Sequence, residues 1–299
     1  MKFNRFIIRL MLLPAILLIS CAPLNQTDVG KIRIVTSSQI VGDVVRQIAE
    51  DLINVTFLIP PGTDPHVYEP VPQDATRLAE AHLVFINGFG LEEALEPLLN
   101  EQRDKVVDIS AGIEPLVLVE EGESGPDPHV WTNPLNVKIW ADHIAQALGE
   151  LDQENAATYI ANAAEYKAEI DKLDIWAFEQ IAKIPEEERV LITDHEAFGY
   201  FAEHYSFEIV GVVIPGYSTL GEPSAGELAE LETSIQDLGV KAIFVGISLN
   251  PSLAEQVAED TNVQLVSIYT ESLSDANGPA STYLEMIHFD VEAIVSALK

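Results

Sequence analysis

Residues 32–59 read Ile32-Arg33-Ile34-Val35-Thr36-Ser37-Ser38-Gln39-Ile40-Val41-Gly42-Asp43-Val44-Val45-Arg46-Gln47-Ile48-Ala49-Glu50-Asp51-Leu52-Ile53-Asn54-Val55-Thr56-Phe57-Leu58-Ile59, and the fold assignment starts from them. A β-branched run at Ile32–Thr36 predicts a strand, the pattern over 39–51 predicts a helix, and a second apolar run at 55–59 predicts another strand. The same alternation continues outward. Further strands are predicted at Leu83–Ile86 and 106–109, with a helix over 72–81 between the second strand and the third. In the second half strands are predicted at Val190–Thr193, 209–213, 242–245 and Gln264–Ile268, with helices over Ala225–Leu238 and 251–260. Strands that alternate with helices imply parallel sheets with right-handed crossovers. Because both halves follow one plan, the sequence predicts an α/β protein of two lobes, each a parallel sheet flanked by helices.

Between the halves, 153–183 reads as one long helix. Ala156, Ile160, Ala163, Tyr166, Ile170, Leu173, Trp176 or Ala177, and Ile181 recur at steps of mostly three and four, which marks one helical face. Asp152 is placed to cap its start and Pro185 follows its end. A helix of ~30 residues spans ~45 Å, long for a crossover and suited to a strut. The expected organisation is an N-terminal lobe over 31–151, a linking helix over 152–184 and a C-terminal lobe over 185–299.

The chain has 299 residues, of which 47% are hydrophobic, enough apolar material for two cores. Residues 1–20 stand apart. Lys2, Arg5 and Arg9 precede an apolar run through Ile19, the pattern of a signal peptide and too short and Pro-interrupted for a good membrane span. The run ends at Leu18-Ile19-Ser20-Cys21, which resembles the bacterial lipobox, in which the cysteine is lipidated. Cys21 is the only cysteine, so it has no internal disulfide partner, and lipidation there would hold the chain on a membrane. The polar stretch 21–30 then serves as a tether. The formal net charge of −32 grows more negative by the three lost cations once the signal is removed. Such a surface repels nucleic acid and attracts cations.

The chemistry concentrates in a repeated phrase. Asp64-Pro65-His66-Val67-Tyr68 recurs as Asp127-Pro128-His129-Val130-Trp131, each followed by a further proline, Pro70 and Pro134. Proline before each histidine stiffens the backbone that presents the imidazole. A third histidine, His195, follows a predicted strand directly, and Glu271 follows the strand that ends near Ile268. Ligands of open α/β sheets bind at the carboxyl ends of strands, so these residues, drawn from both halves, are expected to meet in the cleft between lobes. Three imidazoles and a carboxylate suit tetrahedral Zn²⁺ with no open position, a binding site and not a catalytic one. His82, His143, His204 and His288 sit in helical or helix-end contexts without repeated surroundings and are read as structural.

These phrases, together with Asn87-Gly88 and Leu91-Glu92, His195-Glu196-Ala197-Phe198-Gly199-Tyr200-Phe201, Glu222-Pro223-Ser224 and Tyr269-Thr270-Glu271-Ser272-Leu273, resemble the metal-specific solute-binding lipoproteins of bacterial ABC importers, the ZnuA/TroA-like family. The resemblance runs from about residue 31 to residue 298. It implies two α/β lobes joined by one helix, a buried metal between them, and ligands at His66, His129, His195 and Glu271. It also implies an exported receptor, lipid-anchored on the outer face of the cytoplasmic membrane or on the periplasmic side, that hands metal to a membrane permease as a monomer.

Three features depart from the family pattern. Glu271 stands where Asp is usual, which leaves Asp275 in the same loop as a competing ligand. The acidic stretch 120–127 lacks the histidines that many zinc-specific members carry there. Gly246 stands where relatives often have an acid. His195, where manganese-selective members tend to offer Glu, favours zinc as cargo, with manganese as the alternative. A zinc hydrolase would need an open coordination position, and no His-Glu-x-x-His is present; an adhesin lipoprotein would leave the histidines incidental. Neutral imidazole ligands predict affinity that falls as pH drops through roughly 6 to 5.

Overall fold

The computed structural model describes residues 31–120 and 123–299. The signal segment 1–20, Cys21 and the rest of the tether lie outside the described residues. In chain order the fold runs β1 (Ile32–Thr36), α1 (Gln39–Ala49), β2 (Ile53–Phe57), α2 (Pro72–Glu80), β3 (Leu83–Ile86), α3 (Glu96–Asn100), β4 (Val106–Asp108), β5 (Val117–Glu120), β6 (Glu123–Pro126), α4 (Pro134–Leu151) and α5 (Ala156–Ile181). It continues with β7 (Val190–Thr193), α6 (Gly199–Tyr205), β8 (Glu208–Val212), α7 (Ala225–Leu238), β9 (Ala242–Gly246), α8 (Ser252–Thr261), β10 (Gln264–Ile268) and α9 (Tyr283–Leu298).

Two four-stranded parallel sheets form, in the orders β2-β1-β3-β4 and β10-β9-β7-β8. Each sheet reverses its strand order part-way across, and such a reversal opens a crevice at the carboxyl ends of the strands. Strand side chains alternate between faces, and both sheets use this the same way. Ile34 and Phe85 of the first sheet and Leu191 and Phe244 of the second point into one continuous core that also takes in α1, α4, α5 and α9. Their neighbours Val35 and Val84, and Ile192, Ile243 and Val245, face two separate smaller cores on the outer sides.

The expected long helix is α5, 26 residues, about 39 Å at 1.5 Å per residue. Ala163, Tyr166, Ile170, Ala177 and Ile181 are buried on it, as their spacing predicts. Two expectations at its start are corrected. Asp152 is the C-cap of α4 and does not cap α5, whose N-cap is Asn155. Its carboxylate accepts instead from Asn155 Nδ2 and Tyr159 Oη, both at 2.8 Å, and braces the turn between the helices. Tyr159 thereby takes the buried position, and Ile160 is 63% exposed. α5 packs along α4, α1 and α9, so it shares its core with both halves and is no free-standing strut. Among the described residues no helix is long and apolar enough to cross a membrane.

Candidate metal centre

Each Asp-Pro-His phrase folds as a tight turn whose aspartate bonds the histidine's own backbone. Asp64 Oδ1 accepts from the N–H of His66 at 2.8 Å, and Asp127 Oδ1 accepts from the N–H of His129 at 2.9 Å. Proline fixes φ between them, so two residues hold the ring direction before any tertiary contact forms. A short 3₁₀ turn follows in both copies, at Pro65–Val67 and Val130–Thr132. His195 arrives differently. β7 ends at Thr193, the N–H of Asp194 donates to the carbonyl of Phe244, and His195 stands at the carboxyl edge of the sheet. Glu271 follows β10 by three residues, and Asp290 of α9 ties down the intervening Tyr269 N–H at 2.8 Å.

These four side chains converge. The ligand atoms of His66, His129, His195 and Glu271 all lie within 4.8 Å of one another. Nε2 of His129 is 3.2 Å from Nε2 of both His66 and His195, and Glu271 Oε1 is 3.3 Å from His129 Nε2 and 3.4 Å from His195 Nε2. Donors at ~2.0–2.1 Å around a tetrahedral ion stand ~3.3 Å apart, and the four spacings around His129 and His195 match that value. His129 and His195 are fully buried, Glu271 is 3% exposed and His66 is partly buried. Neither Glu271 carboxylate oxygen has a hydrogen-bond partner of good geometry among the described residues. A buried, unsatisfied carboxylate is costly, and a cation at the focus of the four groups satisfies it. Asp275 is exposed and outside this cluster, so Glu271 is the carboxylate that reaches the centre.

The electrostatics divide the histidines. Burial works against charging His195, but Asp194 and Glu271 outweigh it and raise its pKa to about 10. His129 is likewise raised against its burial by Glu271 and Asp127. His66 is lowered to about 3, first by burial and then by the neighbouring imidazoles, although Glu271 opposes this. Glu271 is held well below the ordinary carboxylate range, because the facing histidines overcome its burial.

Sequence reasoning missed the residues behind the rings. Asp127 Oδ1 also accepts from His129 Nδ1 at 2.7 Å, and Asp194 Oδ1 from His195 Nδ1 at 2.7 Å. A carboxylate on Nδ1 fixes the tautomer and turns the Nε2 lone pair to the centre. Asp64 is used differently, because its Oδ2 accepts from Thr219 Oγ1 at 2.5 Å and so bonds the first half to the second. The signal was present, since an aspartate stands two residues before His66 and His129 and directly before His195. The other histidines have structural partners. His82 Nδ1 accepts from the N–H of Arg33, His143 bonds the carbonyl of Ile109, His204 pairs with Asp174 at 2.7 Å, and His288 stacks on Trp176 at 3.9 Å.

The profile of the ZnuA family, described as zinc-uptake complex component A, periplasmic, matches residues 34–297. The chain belongs to the ZnuA family. Among its relatives, the manganese-binding lipoprotein MntA of Halalkalibacterium halodurans is 35% identical over 276 residues, covering 92% of this chain and 91% of the relative. The manganese ABC transporter substrate-binding lipoprotein PsaA of Streptococcus pneumoniae is 30% identical over 298 residues, 96% of each chain. The solved periplasmic zinc-binding protein TroA of Treponema pallidum superposes with a TM-score of 0.84 at 30% identity, over 90% of this chain and 99% of TroA. A manganese-bound periplasmic metal-binding protein of Candidatus Liberibacter asiaticus gives 0.80 at 31% identity, over 90% and 100%. ZnuA-family members are substrate-binding components of metal ABC transporters and not enzymes.

Proposed function

We propose that this chain is the extracytoplasmic receptor of an ABC importer for a divalent transition-metal ion, with zinc as its cargo. The observation that carries the reading is the meeting of the ligand atoms of His66, His129, His195 and Glu271 within 4.8 Å of one another, with Glu271 buried and without a hydrogen-bond partner of good geometry among the described residues. A closed set of four protein donors leaves no position for substrate, which suits capture and carriage. Nitrogen-rich donors and the affinity order of divalent ions both favour zinc over manganese. Manganese is the second reading, favoured by the names of the MntA and PsaA relatives.

Export and anchoring follow the same reading: Cys21 carries the lipid, the chain sits on the outer face of the cytoplasmic membrane as a monomer, and the permease takes the ion from it. The lobes 31–151 and 185–299, with 152–184 between them, each bring two donors to the site. Anaerobic titration of the purified metal-free protein with Zn²⁺ and with Mn²⁺, each in competition with a chromophoric chelator, tests this. One tightly held Zn²⁺ per chain and much weaker Mn²⁺ supports zinc. Manganese held at cellular concentrations in the presence of competing zinc moves the cargo to manganese, and binding of neither ion removes the proposal.

A further inference from the structure

Gly246 ends β9 beside Asp194 and Thr270, and its surroundings give its lack of a side chain a purpose. Its N–H donates to Asp194 Oδ2 at 2.5 Å. The other oxygen of that carboxylate holds both the backbone N–H and the Nδ1 of His195, each at 2.7 Å. Where a side chain would stand, Gly246 faces Thr270, the residue that precedes Glu271. A methyl group at position 246 would lie 2.1 Å from Thr270 Oγ1 and 3.2 Å from Asp194 Oδ2. Thr270 has little freedom to retreat. It is 2% exposed, its carbonyl accepts from Trp131 Nε1 at 2.9 Å, and its branched side chain has few rotamers. Its buried hydroxyl has no partner among the described residues, so what holds Thr270 against Gly246 is fit and not a hydrogen bond.

We infer that Gly246 is a positioning residue for the metal site, whose bare backbone holds Asp194 under His195 and leaves the room in which Thr270 sets Glu271. Both donors of the second half thus rest on neighbours of one backbone position. The inference rests on the metal reading above and deepens it. The N–H of position 246 lets the Asp194 carboxylate spend one oxygen on the ligand and one on the sheet. Asp194→Asn tests the first arm, because an amide has one acceptor where the carboxylate has two. If its oxygen serves His195, its NH₂ meets the Gly246 N–H; if it turns, its NH₂ faces His195 Nδ1 and forces the proton onto Nε2, the metal-binding atom.

The test titrates the full chain with Co²⁺ alone, reading its visible bands, and measures Zn²⁺ affinity by chelator competition. The set is the parent protein, Gly246→Ala, Gly246→Ala with Thr270→Ala, and Asp194→Asn. The parent is expected to take one Co²⁺ with the intense bands of a four-coordinate site. Gly246→Ala and Asp194→Asn are each expected to lose about 10- to 100-fold in Zn²⁺ affinity, with altered Co²⁺ bands. Removing the Thr270 hydroxyl is expected to restore most of the Gly246→Ala loss, a rescue that general damage to folding would not give. Unchanged bands and affinity in Gly246→Ala, or a double variant no better than the single one, overturns the inference. If Gly246→Ala does not fold, Asp194→Asn with the bands and affinity of the parent overturns it. A parent protein that takes up no Co²⁺ and no Zn²⁺ fails earlier, at the metal reading itself.

Discussion

At the scale of single residues, the proposed centre is a place where protons and metal would compete. His195, raised to about 10, carries a proton at neutral pH in the metal-free protein, whereas His66, lowered to about 3, is already neutral. A metal must displace the proton on His195 and finds none on His66. Zinc binding at pH 7.5 is therefore expected to release protons, and calorimetric heats should differ between buffers of high and low ionisation enthalpy; equal heats would contradict this. The competition extends through neutral pH, above the window of 6 to 5 that unperturbed imidazoles predict. The stability sign follows from the same shift. A histidine whose folded pKa lies above its unfolded value of ~6.5 contributes stability that is whole below that value and lost as pH rises through about 10. Between pH 7 and 9, this contribution to the melting temperature of the metal-free protein should fall while the rise on adding zinc grows. The two kinds of histidine also separate by mutation. His129→Ala and His66→Ala should each cost more than ~100-fold in zinc affinity, beyond the loss of an outer hydrogen bond. Only His129→Ala should also lower the melting temperature of the metal-free protein, because Asp127 and Glu271 then lose a buried partner.

At the scale of elements, the turns around the ligands are built from side chains bonded to backbone. Glu92 receives the N–H groups of Asn87 and Gly88 on its two oxygens, at 2.8 and 3.0 Å. Asn87 Nδ2 in turn donates to the carbonyl of Pro128, next to His129, at 2.9 Å. Asn87→Ala removes one of two donors to that buried carbonyl, which keeps the N–H of Val130 at 2.9 Å, and should cost about 0.5–1.5 kcal/mol in denaturant unfolding, with weaker zinc binding as the His129 turn loosens. Gly88 has φ of +91°, and a methyl there would lie 2.4 Å from Asp108 Oδ1, so the Asn-Gly pair is a backbone requirement. Much of this level is legible in the sequence. Hydrophobic periodicity located the eight strands of the two parallel sheets to within two residues, because buried parallel strands read as apolar runs. The Asp-Pro-His repeat pointed to His66 and His129 because few histidines share a context. Less was legible where tertiary partners decide. Asp152 has a cap's sequence position, but its carboxylate goes to Asn155 and Tyr159. The β5–β6 hairpin, α4 and α9 are not among the elements that periodicity located. The sequence reading favours Glu271 with Asp275 as a competitor in the same loop, and it is burial that separates them, since Asp275 is exposed while Glu271 lies with the three histidines.

At the scale of the molecule, the halves share one core, and bonds cross between them at the site. Trp131 Nε1 reaches the carbonyl of Thr270, Tyr283 Oη reaches the carbonyl of Trp131 at 2.7 Å, and the N–H of Gly62 reaches Ser272 Oγ at 2.7 Å. With α5 packed along helices from both halves, wide opening would break the common core. Solution scattering of the metal-free and zinc-bound protein should therefore give the same radius of gyration within error, and a clear contraction on binding would refute the shared core as a brake on opening. Metal should still stabilise strongly, by about 4 kcal/mol when free zinc is a thousand times the dissociation constant. All of this depends on one ion sitting where four side chains meet. The most direct test is anomalous diffraction at the zinc edge from crystals of the zinc-loaded protein. A single strong peak is expected, bonded to Nε2 of His66, His129 and His195 and to a carboxylate oxygen of Glu271, at ~2.0–2.2 Å from each. A peak elsewhere on this acidic surface, or none at the four residues, would contradict it.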